Sequence, residues 1–266
     1  MTSMFDTPTQ IGPVTVRNRL VMAPMTTYSS NPDYTVSDQE YAYYEARGKS
    51  VGMLITAAVA VSKSAHAFPR QISIEDDSFI PGLKTLADKI KAGGAKAVIQ
   101  LHHGGRMSDA SLFANPDDIV APSAIQADRS FTTTPRAMTT DEVKATQTDF
   151  LAAISRAIKA GFDGVELHGA NTYLLQQFFS PQSNQRTDQY GGSIENRSRF
   201  ILELVEAAQA LIQKEAKHPF LLGYRLSPEE RETPGITLAD TRYLIQKLNA
   251  LKIDYLHLST RHYAQS

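Results

Sequence analysis

Six short apolar runs, each set apart from the next by enough chain to hold a helix, limit this sequence to few folds. The runs lie at residues 19–23, 52–57, 96–101, 163–167, 220–226 and 254–259. Strands joined by a tight turn pair antiparallel. Strands separated by a helix-length crossover pair parallel and bury both faces of their sheet. The intervening segments carry helix signals. Thr139-Thr140-Asp141-Glu142 reads as a capping box, and after it Phe150, Ala153, Ile154, Ala157 and Ile158 fall on one helical face until Gly161 ends the helix. The same logic predicts helices over 81–92, 193–215 and 237–250, and helix packing for Tyr41, Tyr43 and Tyr44. Ahead of the first run, residues 5–16 read as a hairpin turning at Gly12-Pro13, suited to plug the bottom of a barrel.

Alternating strands and helices predict the α/β class and a TIM (β/α)8 barrel, read as a single domain over residues 1–266. Two long connections, 102–139 and 168–196, use much of the length. Only about six βα units then fit where the fold has eight, so the expectation is a barrel truncated before strands seven and eight. Both connections follow strand C-termini, where barrel enzymes build their sites.

Composition narrows the chemistry. A formal net charge of −1 provides no basic field to hold nucleic acid or an anionic membrane. With no cysteine in the sequence, disulfides, thiolate-bound zinc, iron–sulfur clusters and thiol nucleophiles are excluded within these residues. No apolar run approaches the roughly 18 residues of a membrane span. The first residues lack the basic and apolar regions of a signal peptide. The expected setting is the cytoplasm, with a small-molecule partner, no metal and a possible homo-oligomer.

The strand ends carry the candidate chemistry. The first is followed by Pro24, Met25, Thr26 and Tyr28, and the second by Ala58. Small residues there suit a flat ring lying against the backbone. Gln100, within the third, both donates to and accepts from a ring such as a pyrimidinedione. Arg225, in the fifth, offers fixed positive charge. After the fourth, His168 and Asn171 are able to donate to one substrate oxygen, and Tyr173 is a phenol protonated at neutral pH, fit for general acid catalysis. Each of these also has an ordinary structural role open to it. His102-His103 does not suit a metal, since adjacent strand residues point to opposite faces. Glu166 stands out in an otherwise apolar strand: either it faces the helix layer with a buried partner or it is an acid/base carboxylate.

Taken together, Arg17-Asn18-Arg19-Leu20, Ala23-Pro24-Met25, Gln100-Leu101-His102-His103-Gly104-Gly105-Arg106, the run from Ala160 through His168 and Asn171 to Tyr173, and the long stretch from Gln177 to Phe200 resemble the Old Yellow Enzyme family of FMN-dependent ene-reductases and NAD(P)H:flavin oxidoreductases. The resemblance covers nearly the whole chain. It implies an eight-stranded barrel with FMN across the C-terminal mouth and NADH or NADPH as reductant. It places Pro24, Met25, Thr26 and Ala58 against the flavin ring, Gln100 at its pyrimidine edge and Arg225 near N1 and O2. His168 and Asn171 match the pair that binds the substrate's oxygen, Tyr173 the proton donor, and Tyr28 lies on the substrate side. The implied activity is reduction of an activated C=C bond, as in an enone. Thr26 and Met107 depart from some relatives, which carry Cys and a basic residue there. The family holds the FMN phosphate after strands seven and eight, beyond the runs read here. Two alternatives follow: the barrel part of a larger flavoenzyme resembling 2,4-dienoyl-CoA reductase, or a non-catalytic fragment unable to hold FMN.

Overall fold

A computed structural model describes residues 4–260. The hairpin comes first, as β1 (Thr9–Ile11) and β2 (Val14–Val16), paired antiparallel about Gly12-Pro13. Gly12 has φ +48°, and a Cβ there would meet the Asp254 carboxylate at 2.1 Å, so the turn requires glycine on both counts. Then follow β3 (Val21–Met22), α1 (Asp38–Gly48), β4 (Met53–Ala60), α2 (Ile80–Ala92) and β5 (Lys96–His102). The first long connection holds two short strands, β6 (Val120–Ala121) and β7 (Arg136–Ala137). The remainder is α3 (Thr140–Lys159), β8 (Gly164–Gly169), α4 (Leu174–Phe179), α5 (Ile194–Glu215), β9 (Leu221–Leu226), α6 (Leu238–Ala250) and β10 (Tyr255–Leu258).

All six expected strands are present, in one parallel sheet of order β10-β9-β8-β5-β4-β3. Each joins its neighbour through at least one helix, as a parallel crossover demands. The sheet is not closed: β3 and β10 are its edges, and an apolar cleft of about 330 Å³ between them is lined by Val21, Ala23, Ile55, Tyr255 and Leu258. The expected truncated barrel is thus the observed shape of the described residues.

Local signals explain the elements. In α3, Thr139 Oγ1 accepts from Glu142 N–H while the Glu142 carboxylate accepts from Thr139 N–H, and Arg136 holds the same carboxylate at 2.7 Å, keeping its pKa down at about 2. Thr139→Ala removes the cap and is expected to cost about 1 kcal/mol, read as a fall of about 2–4 °C in Tm. Ser37 and Thr237 form the same box on α1 and α6. Strand entry is fixed by aspartates. Asp163 Oδ2 accepts from Ala97 N–H on β5, and Asp254 Oδ2 from Leu222 N–H on β9.

The two faces of the sheet differ. Leu54, Ala97, Ile99, Leu101, Val165, Leu167, Leu222 and Tyr224 pack under the helices in the main core. The other face is layered. At its lower end Ile55, Val98 and Leu221 are covered by Val14 and Val16, so the hairpin does plug the bottom. Moving two residues along each strand keeps the face and raises the polarity. Next come Gln100 and Glu166, paired in register. Above them lie His102 and His168, with Arg225 paired to both His168 and His257.

Candidate active site

The second layer answers the first of the two readings of Glu166. The carboxylate does not face the helix layer. It is fully buried on the inner face, where Oε1 accepts from Gln100 Nε2 at 2.7 Å and Oε2 meets His257 Nδ1 at 3.0 Å. A buried carboxylate needs such donors to offset its lost hydration. Gly223 leaves room beside it, since a Cβ there would sit 2.1 Å from the Tyr255 ring.

The upper layer and the loops above it bring most of the expected residues together. The Tyr173 ring lies 5.2 Å from that of His168 and packs on the small apolar cluster of Ala58, Ala67 and Phe68. Tyr28 joins through Phe68, ring centroids 5.3 Å apart. His168 is buried, and its Nδ1 has no hydrogen-bond partner; Arg225 Nε, on the paired strand, is likewise buried without one. Unpaired buried donors and acceptors of this kind are rare in ordinary cores and point to a ligand. Burial, followed by the nearby Arg225 and His257 charges, pushes the His168 pKa well below 6.5, so the ring is neutral. Burial pushes the Tyr173 hydroxyl up from 10, which keeps its proton in place.

Asn171 sits at the rim. Its φ is +57°, a left-handed conformation that Asn tolerates, and Thr172 follows at +67°, which is costly for a β-branched residue. Surrounding bonds hold both. Asn171 N–H donates to Ser227 Oγ, Thr172 N–H to Gln176 Oε1, and Thr172 O accepts from Gln177 Nε2. Ser259 Oγ donates to Asn171 Oδ1 at 2.8 Å, leaving the amide NH₂ as the outward group. A cleft of about 380 Å³ opens there, lined by Asn171, Thr172, Ser227, Glu230 and Arg231.

Gln177 ties the two long connections together. Its Nε2 donates to Gly104 O and its Oε1 accepts from Arg106 N–H, which pins the loop after β5 to the loop after β8. Pro24 is buried, whereas Met25 and Thr26 are exposed at the end of β3; Thr26 also borders a separate cleft with Glu40 and Tyr43. Gln100 Nε2 is engaged by Glu166, which leaves one further N–H and the oxygen of its amide for a ligand.

Two residues at the site were given no binding role from the sequence. His102 is the last residue of β5, its ring 4.2 Å from Tyr173 and 5.6 Å from His168. Its position two residues beyond Gln100 on one strand was the available signal. Gln71, in the loop after β4, bonds His102 and has no signal of its own.

As a test of fit, a flat ring rich in acceptor oxygens and nitrogens matches this surface: it would meet small side chains at Pro24 and Ala58 and the unpaired donor at Arg225. Among the described residues no three His, Asp or Glu side chains gather as a metal site, and no helix is long and apolar enough to cross a membrane.

Comparison with known proteins points the same way. The profile of the family described as NADH:flavin oxidoreductase / NADH oxidase matches residues 3–266. The chain is 50% identical over 246 residues to the probable NADH-dependent flavin oxidoreductase YqiG of Bacillus subtilis (strain 168), covering 92% of this chain and 65% of that protein. It is 48% identical over 244 residues to the NADH:fumarate oxidoreductase of Klebsiella pneumoniae (strain 342), covering 92% of this chain and 26% of that one. Morphinone reductase in complex with tetrahydroNAD superposes with a TM-score of 0.86 at 34% identity, over 97% of this chain and 74% of that structure. The chain therefore spans less than two thirds of the length of either curated relative.

Proposed function

Because the chain belongs to the NADH:flavin oxidoreductase / NADH oxidase family, the Old Yellow Enzyme family, we propose that it uses FMN and a nicotinamide nucleotide to reduce the activated C=C bond of a small unsaturated carbonyl compound. The observation that carries this reading is the trio at the strand ends: neutral His168 and charged Arg225, each with an unpaired buried nitrogen, beside a protonated Tyr173. FMN, when bound, supplies the hydride chemistry that no side chain here provides. The chain supplies position and field. Pro24, Met25, Thr26 and Ala58 would line its ring, Gln100 would bond its polar edge, and Arg225 would place positive charge beside it. His168 and Asn171 hold the substrate's oxygen and so draw electrons from the alkene, with Tyr28 on the outer side. Tyr173 gives its phenolic proton to the carbon next to the carbonyl and recovers one from solvent.

A second reading is favoured by the 26% coverage of the Klebsiella relative: a barrel that oxidises NADH and passes electrons to a further part of a longer protein. One anaerobic titration separates the two. The protein is loaded with FMN, bleached with NADH or NADPH, and then given 2-cyclohexenone. Recovery of the flavin absorbance with formation of cyclohexanone is expected. Recovery with ferricyanide but not with the enone favours the second reading, and a chain that retains no FMN sinks both.

A further inference from the structure

Tyr28 sits in a backbone conformation that its side chain disfavours. Its φ is +51°, and a bulky residue keeps to the left-handed region only where its surroundings force it to. Residues 23–29 form neither strand nor helix between β3 and α1. A cleft of about 400 Å³, lined by Thr26, Thr27 and Ser29 of this segment and by Gln39, Glu40 and Tyr43 of α1, opens where the two face each other. Three hydrogen bonds pin the segment. Thr27 Oγ1 donates to Glu40 Oε1 at 2.6 Å, Ser29 Oγ donates to Thr27 O at 2.8 Å, and Ser30 N–H donates to Arg70 O at 3.3 Å. Of the three, only the first reaches α1. Glu40 suits the task. It is the third residue of α1, it is 1% exposed, and its other oxygen, Oε2, accepts from Ser37 N–H to complete the capping box. Each carboxylate oxygen thus has its own partner. The box needs only one of them, so burial of the side chain and the bond to Thr27 go beyond capping. Burial pushes the Glu40 carboxyl up from 4.5, and the Thr27 hydroxyl is the foremost group that offsets it.

We propose that Glu40 is a positioning residue: by gripping Thr27 it holds Tyr28 in its strained conformation and so aims the Tyr28 ring at the substrate side of the active site. The ring is open to a substrate. Tyr28 is 57% exposed, its ring stands edge-on to Phe68 at 5.3 Å, and Phe68 belongs to the same apolar cluster as Ala58 and Tyr173. Tyr28 is also near enough to Tyr173 to help hold that hydroxyl above 10. The Ser30–Arg70 bond ties the far end of the segment to the loop that carries Phe68, so Tyr28 is held on both sides, by Glu40 through Thr27 and by the Arg70 carbonyl through Ser30. Released from Glu40, the backbone would relax to negative φ and carry the ring away from Phe68.

The aim of the ring rests on the proposed alkene-reducing site; the grip does not, and the first test reads the grip alone. With fluorotyrosine in place of tyrosine, the Tyr28 ¹⁹F signal is assigned by its loss in Tyr28→Phe. It should move toward the position of free fluorotyrosine in Thr27→Val, which trades the hydroxyl for a methyl, and return in Thr27→Ser, which restores the hydroxyl. A signal that stays in place in Thr27→Val overturns the grip, whether or not the chain binds FMN. The second test is the KM for 2-cyclohexenone of the FMN-loaded protein. Thr27→Val should raise it by about 5-fold or more, the factor by which an unsupported residue leaves the left-handed region, and by no more than Tyr28→Ala does. In the Tyr28→Ala background Thr27→Val should add nothing, because the bond acts through that ring. A full second loss there would show Thr27 shaping the site by another route and overturns the aim, as does a Tyr28→Ala protein with unchanged KM. Should Thr27→Val fail to fold, Thr27→Ala, which presses no methyl on the buried carboxylate, takes its place in both tests.

Discussion

Tyr173→Phe is expected to slow alkene reduction by about 10²- to 10⁴-fold, the usual worth of a positioned general acid, while bleaching of the flavin absorbance by NADH proceeds unchanged. The substitution is conservative where it matters for structure. The Tyr173 ring packs on Phe68 and Ala58 and stands edge-on to His102, and Phe preserves every one of those contacts. Only the hydroxyl goes. That hydroxyl sits where burial and the neighbouring Tyr28 hold its pKa above 10, so it is a full-time donor across the neutral range. The reductive step requires no proton from the chain, and the oxidative step requires one. Stopped-flow measurement of the two half-reactions reads the difference directly. Equal loss in both would show that Tyr173 merely shapes the pocket, and no loss in either would assign the proton to solvent.

Acid should destabilise the fold before the depressed carboxylates of Glu142 and Asp188 lose their contribution. Burial drives the pKa values of His102, His103 and His168 below the ordinary 6.5, that of His103 to about 3. His103 shows the cause in its bonds: Nδ1 accepts from Gly105 N–H at 3.1 Å, and a protonated Nδ1 would lose that bond in a site closed to water. The sign follows from linkage. Above pH 6.5 both folded and unfolded chains hold these rings neutral, and stability is undiminished. Below 6.5 the unfolded chain gains protons that the folded chain refuses, so stability falls by up to about 1.4 kcal/mol per pH unit for each ring. For His103 alone the loss at pH 5 is about 2 kcal/mol, or about 4–8 °C in Tm. The depressed carboxylates of Glu142 and Asp188, both at about 2, withdraw their contribution only at lower pH. His103→Asn keeps an acceptor for Gly105 N–H and removes the titrating site. Its Tm between pH 7 and pH 5 should fall less steeply than that of the unaltered protein, and parallel curves would refute the assignment.

The strands were legible because each is a compact apolar run bounded by turn residues, and the observed limits fall within a few residues of those expected. α3, α5 and α6 were legible because their apolar residues recur with helical spacing behind a capping residue. α4 was not. Its six residues, Leu174–Phe179, are buried on every side between the sheet, α5 and the loop after β5, so no amphipathic period marks them. α1 showed itself only through its tyrosines, of which Tyr44 is buried and donates toward no solvent, its hydroxyl accepting from Ala57 N–H at 2.7 Å.

The candidate site divides along a similar line. The order of strands and helices, the α/β class and the placing of Gln100, His168 and Arg225 on strands were written in residue type and period, which are properties of neighbouring positions. His102 lies beyond the expected end at Leu101, and strand parity from Gln100 would have put it on the inner face. The direction of Glu166, the closeness of Tyr173 to His102, and the hydrogen bonds running from Ala67 N–H through Gln71 to the His102 ring depend on groups brought together from different strands and loops. An amide's orientation and an imidazole's tautomer are set by whichever partner each nitrogen or oxygen meets, and only the folded chain decides those partners.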